Sequence, residues 1–228
     1  SQIKAGDTLV IHFGHKDKEA GPIHYTSAVG DYQTEGSYAY YLYEYYVKMA
    51  QEAGAEVILC TPAVNRPEDG EWIPGNLSNC APVTVDGVYY ERGDYAAAVR
   101  QLGEDVNVPV VDLTTLTKEL YDELGTEETQ YLHAWLKNDI ETIRNDLHSE
   151  LGAKYTAWLL ANSLKDLEVS LADHVDLSAG APSRANDLTV NPDYEEIVYN
   201  NNLSQSTLWP DYIVEDVVFK GTVFGATS

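Results

Sequence analysis

Apolar residues along this chain change their spacing several times, and each change marks an element. Residues 6–14 (GDTLVIHFG) are a short β-branched and apolar run closed by a glycine, the pattern of a buried parallel strand. After Ser37, the residues Tyr41, Leu42, Tyr45, Tyr46 and Met49 recur at three- and four-residue steps, which predicts an amphipathic helix over 38–53. Ser37 stands at its N-cap position, and Gly54 follows as the residue that ends it. Residues 56–61 (EVILCT) are a second buried strand, stopped by Pro62, and 108–113 (VPVVDL) a third. Between them 94–102 carries Tyr95, Val99 and Leu102 on one side and reads as a connecting helix.

Strand, helix, strand, helix, strand is the order of a parallel sheet covered on both faces, with ligand chemistry at the carboxyl ends of the strands. Further helices are expected over 115–124 and 127–136, and the apolar stretch 152–164 (GAKYTAWLLANSL) is expected to dock on the sheet as the last one. Residues 67–93 are rich in Gly, Pro and Asn, with a small hairpin predicted around Asp86-Gly87, and should rim the strand ends. From about Lys165 onward the periodicity fades, until 212–224 (YIVEDVVFKGTVF) offers one or two strands. The organisation expected is a main domain over 1–165 and an extension or linker over 166–228.

Composition narrows the function classes. With 44% apolar and 22% charged residues over 228 positions, the chain has globular usage and enough length for one α/β core. The formal net charge of −23 argues against nucleic acid, whose phosphates would be repelled, and disfavours anionic membrane surfaces. A neutral or acylated polysaccharide is an easier partner than a bare polyanion. Cys60 and Cys80 form no disulfide framework and have no metal-binding spacing, so no metal site is expected. No stretch has the pattern of a signal peptide or the ~18 apolar residues needed to cross a bilayer, so any export signal is expected upstream of Ser1.

Two short segments carry candidate chemistry. Phe13-Gly14-His15-Lys16-Asp17 follows a strand directly, where backbone amides and a side-chain donor could face a developing oxyanion. Asn145-Asp146-Leu147-His148 places an acid beside an imidazole just ahead of the last helix. His12 and His133 read as structural histidines, and Ser37 as a cap rather than a nucleophile. Ser228 ends a faint strand-Gly-x-Ser pattern with no helix after it. Aromatics around Trp72, Tyr89, Tyr90 and Trp209 are expected to offer surfaces on which sugar rings stack.

Four blocks in order, VIHFGHKD at 10–17, GSYAYYLYEYYVKMAQEAGAEVILCTPAVNR at 36–66, GDYAAAVRQLGEDVNVPVVDLTTLTKELYDELG at 93–125 and DLHSELGAKYTAWLLA at 146–161, resemble the SGNH (GDSL-like) hydrolase superfamily. Within it they are most like the rhamnogalacturonan acetylesterases. That resemblance implies an SGNH/flavodoxin-like three-layer α/β/α fold, removal of acetyl groups from pectic polysaccharide, no metal or organic cofactor, and an extracellular, secreted setting.

It also implies a site. His148 matches the family's base, Gly14 and Lys16 fall in the oxyanion region, and His15, Asp17, Arg66 and Trp72 in the substrate-binding region. The family's nucleophilic serine follows a Gly-Asp on its first strand, and no Gly-Asp-Ser occurs here, so the first strand-helix portion is lacking. Lys16 stands where the family has an oxyanion-donating Asn. Asn145 occupies the usual acid position, with Asp146 one residue later. An amide in place of the acid has cost about 10⁴ in rate in a Ser-His-Asp site. Three explanations stay open: the nucleophile is supplied from upstream or by a companion segment; the domain is a carbohydrate-binding or structural module of a larger extracellular protein, alongside other domains; or a C-terminal segment, 212–224, replaces the missing strand.

Overall fold

The structure, a computed structural model, describes residues 3–66, 72, 82–136 and 139–183, with the backbone alone over 134–136 and 139–147. Its centre is a three-stranded parallel sheet of β1 (Thr8–His12), β2 (Glu56–Cys60) and β5 (Val110–Val111), in the order β1-β2-β5. Thr8 lies opposite Glu56 and His12 opposite Cys60, so β1 and β2 pair along their full length. The β3–β4 hairpin (Val83–Val85, Val88–Tyr90) forms at the expected Asp86-Gly87 turn, where both residues have positive φ, as a two-residue loop between twisted strands requires.

The pleat of β2 shows why helices cover both faces. Val57 and Leu59 point to one side, where they pack with Ile11, with α1 (Tyr38–Leu42), the π-helical turn Tyr43–Val47 and α2 (Lys48–Glu52), and with α3 (Tyr95–Val106). Ile58 and Cys60 point to the other side, against α4 (Leu113–Thr129) and α5 (Glu150–Lys165). Ile58 and Leu59 are both fully buried, and each such side chain stabilises the fold by roughly 1.5–3 kcal/mol. The three-layer α/β class expected from the alternation of elements is therefore present. After α5, Leu167, Val169 and Leu171 continue to pack under the sheet, and Ser170 hydrogen-bonds Glu56 at the start of β2.

β1 is the outer strand, and its far edge has no strand beside it among the described residues. Val10 and Phe13 are exposed there, and the Phe13 ring lies 5.2 Å from that of Tyr46 on the π-helical turn. Residues 184–228, including the expected strands over 212–224, lie outside the described residues.

The sequence expectation fails at one element. The helix predicted over 127–136 ends in the short 3-10 turn Gln130–Leu132, and the chain then enters an antiparallel pair, β6 (His133–Leu136) with β7 (Asp139–His148). Antiparallel pairing with the strand that follows directly overrides helical spacing here, and His133 begins a strand rather than riding on a helix.

Candidate active site

The loops after β1 and β2 are tied together at the carboxyl end of the sheet, and the same end receives His148. Ala63 N–H donates to His12 Nε2 at 3.3 Å, and Asn65 Nδ2 meets His15 Nδ1 at 3.3 Å. Gly14 makes the crossing possible: it has φ 116°, and a Cβ there would stand 2.5 Å from Pro62 Cγ and 3.1 Å from Tyr38 Oη. One residue after β5, Asp112 accepts from Thr61 Oγ1 at 2.9 Å, from Arg100 Nε at 3.1 Å and from Arg100 Nη2 at 2.9 Å. These contacts fix the ends of the three strands relative to one another.

His148 is the last residue of β7, directly before Ser149, which caps α5. Its ring stacks on that of His133 at a centroid distance of 5.6 Å and an interplanar angle of 19°. His133 is fully buried and bonded through Nε2 to Tyr121 Oη at 3.0 Å. Beneath them Val64, Trp72, Tyr121, Leu132 and Leu151 form a small apolar cluster that serves as a floor. The His12 and His15 rings are 5.9 Å apart.

Their surroundings favour the neutral form of His12, His15 and His148. Burial lowers the pKa of His148, opposed in part by the nearby Leu132 backbone. His12 is lowered first by the atoms packed around it and then by His148. His15 is pushed down to about 3 by burial, with Lys18, His12, His148 and Lys16 adding repulsion of its charged form. A neutral imidazole retains a lone pair and can accept a proton, as a general base must. Among the described residues, no group of three or more His, Cys, Asp or Glu side chains is arranged to hold a metal ion.

The other residues singled out from sequence fall into different roles. Lys16 is exposed and paired with Glu19 at 2.6 Å. The Asp17 carboxylate accepts from Thr26 Oγ1 at 2.9 Å, while its carbonyl accepts from Tyr95 Oη at 3.0 Å, which ties this loop to α3. Arg66 is buried and donates to the Thr126 carbonyl. Trp72, expected at the surface as a sugar-stacking ring, is only 1% exposed. Its indole lies 5.0 Å from the Tyr121 ring and its Nε1–H donates to Asp122, because the apolar floor needs a large side chain there. Tyr89 is exposed, whereas Tyr90 packs on Tyr25. The side chains of Asn145 and Asp146 and all of Trp209 lie outside the described residues.

Several serine hydroxyls are committed to local structure. Ser37 caps α1, accepting from Tyr40 N–H at 3.0 Å. Ser149, the neighbour of His148, donates to the Tyr131 carbonyl at 2.6 Å and accepts from Gly152 N–H at 3.1 Å. Ser27 donates to Glu91 O, and Ser170 to Glu56. Asn65 and the Leu132 carbonyl were not singled out from sequence. The only signal for Asn65 was its place after the second strand, and a main-chain carbonyl leaves none.

No protein-family model matches the chain. Over 139 residues it is 28% identical to rhamnogalacturonan acetylesterase RhgT of Bacillus subtilis (strain 168), covering 59% of this chain and 48% of the relative. The chain is similar in sequence to that rhamnogalacturonan acetylesterase. Its match spans about half the length of that relative. Among solved structures it is similar to the protein YxiM of Bacillus subtilis, with a TM-score of 0.45 and 21% identity, over 74% of this chain and 39% of that one.

Proposed function

We propose that this chain carries the base side of a carbohydrate acetylesterase centre, acting on acetylated pectic polysaccharide outside the cell. His148 takes the proton from an attacking hydroxyl that residues beyond the described segment provide. The loop holding Gly14 and His15 borders the position of the acyl group. The observation that carries this reading is His148 itself: an imidazole held neutral by burial, at the carboxyl end of a parallel sheet, in a chain related to an acetylesterase. Hydrolysis of 4-nitrophenyl acetate and release of acetate from acetylated rhamnogalacturonan test it. Turnover that disappears in His148→Ala supports the reading, and equal turnover by both proteins refutes it.

The engagement of Ser27, Ser37, Ser149 and Ser170 in caps and turns favours a second reading, in which the domain binds acetylated polysaccharide without cleaving it. Binding of acetylated pectin by a protein that releases no acetate selects that second reading.

A further inference from the structure

Among the described residues β1 is paired on one side only. Glu56 N–H donates to the Asp7 carbonyl at 2.9 Å, which fixes the pleat: Leu9 and Ile11 turn their main-chain groups toward β2, while Thr8, Val10 and His12 turn theirs to the outer edge. Val10 and Phe13 are exposed, as is Tyr46, whose ring meets that of Phe13. Natural edges are commonly guarded by lysine, proline or a bulge. Residues 8–13 (TLVIHF) contain no proline and no formal charge, so this edge is a template for one more strand. The chain returns to it after α5: Ser170 N–H donates to the Glu56 carboxylate at 3.1 Å, and Ser170 Oγ lies 3.3 Å from Thr8 Oγ1. It therefore passes the amino end of β1.

We propose that residues 212–224 (YIVEDVVFKGTVF), which lie outside the described residues, add to the outer edge of β1 as a further strand of the sheet. Ile213, Val214, Val217, Val218 and Phe219 give the segment the β-branched and apolar pattern of a covered strand. Residues 184–211 extend over roughly 90 Å at ~3.3 Å per residue, several times the roughly 17 Å of β1, so the tether reaches the edge from the point where the chain passes it. A tethered segment meets the edge at an effective concentration that a second molecule matches only in concentrated solution. A formal net charge of −23 also sets copies of the chain against one another. Molecules in which the segment is displaced expose the edge, and association between copies arises from that fraction. Because β1 ends at His12, the added strand borders the end of the sheet that holds His15 and His148. The pairing itself does not rest on the esterase reading.

The test is amide hydrogen exchange and nuclear Overhauser contacts of the whole chain, read by NMR at low and high protein concentration. In the parent protein the Val10 N–H is expected to exchange as slowly as those of Leu9 and Ile11 at every concentration, and to show contacts to main-chain protons of residues 212–224. The double variant Val217→Asp/Val218→Asp places a carboxylate on each face of the segment. In it Val10 exchange should quicken by about tenfold or more while Ile58 and Leu59 stay protected, and association in light scattering should rise. A Val10 N–H that exchanges in the parent like an unstructured amide overturns the proposal. Protection that appears only in concentrated solution gives the edge to a second copy, and contacts from Val10 to a segment other than 212–224 give it to that segment; either result also overturns it. The contacts are read in the parent, so the answer stands even where the variant does not fold. No ester turnover enters, so an inactive protein with these contacts sinks the esterase reading alone.

Discussion

Replacing Tyr121 by Phe removes one oxygen atom from beneath the histidine pair, and the structure sets how much that should matter. Tyr121 is 2% exposed and His133 0%, so water does not replace the lost partner of His133 Nε2. Burial raises the pKa of the Tyr121 phenol far above its ordinary range, and the group remains a protonated donor. The phenyl ring keeps its edge-on packing against Trp72 and His133 at 5.0 Å and 5.8 Å, so no cavity forms to add to the loss. What remains is an imidazole nitrogen deprived of a buried hydrogen bond, which costs about 1–3 kcal/mol. At roughly 2–4 °C per kcal/mol for a domain of this size, a 2 kcal/mol loss lowers Tm by about 4–8 °C. Tyr121→Leu also opens space in the floor and should cost more. Thermal and urea unfolding of the two variants beside the parent protein measure this. A Tyr121→Phe protein whose midpoint equals or exceeds that of the parent refutes the hydroxyl-imidazole bond as a structural element.

Ser149→Ala removes both the α5 cap and the bond to the Tyr131 carbonyl, and should lower stability by about 1–2 kcal/mol in urea unfolding. His15 has a folded-state pKa of about 3 against 6.5 when unfolded; its stabilising effect is complete above pH 6.5 and is lost as pH falls from there toward 3. His15→Gln should therefore flatten the acid limb of a stability-pH profile, and an unchanged limb refutes the burial of a neutral ring. Cys60 is buried, with a thiol pushed up to about 11, so mass spectrometry after iodoacetamide treatment at pH 8 should find it unmodified in the native protein and alkylated only in denaturant. Val10→Lys, on the edge of β1 that has no strand beside it among the described residues, should reduce concentration-dependent association in light scattering, because edge lysines oppose strand pairing between molecules.

The layered fold could be read from the chain because its signals are local and agree with one another. In β2 every residue from Val57 to Cys60 is buried, which produces the continuous apolar run that marks a strand covered on both faces. Ser37 and Asp94 accept hydrogen bonds from backbone N–H groups in the first turns of their helices, as the sequence positions of such caps imply. The third strand proved shorter than its apolar run. Pro109 has no N–H to give the ladder, and Asp112 turns out of it to cap α4, leaving Val110–Val111 as the paired residues. The β6–β7 pair was hidden for a different reason, since Trp135 opposite Ile143 and His133 opposite His148 are matched by register, not by spacing within either segment.

The candidate site divides along the same line. His148 was legible because an acid and an imidazole sit side by side in sequence, ahead of a helix whose cap is also local. Its surroundings were not, because His12, His15, His133 and the Leu132 carbonyl come from a strand, a loop, a second strand and a 3-10 turn that only tertiary packing brings together. Trp72 misled for a related reason: a large aromatic in a Gly- and Pro-rich stretch is drawn to whichever apolar surface lies nearest, and here that surface was the floor beneath His133. Asn145 at the usual acid position pointed to an incomplete base. Gly152 packs against the Leu132 carbonyl so closely that a Cβ would overlap its oxygen, an approach the sequence marks only as a glycine near the start of a helix. What surrounds His148 is therefore set by how the backbone brings these segments together, which side-chain identity along the sequence does not encode.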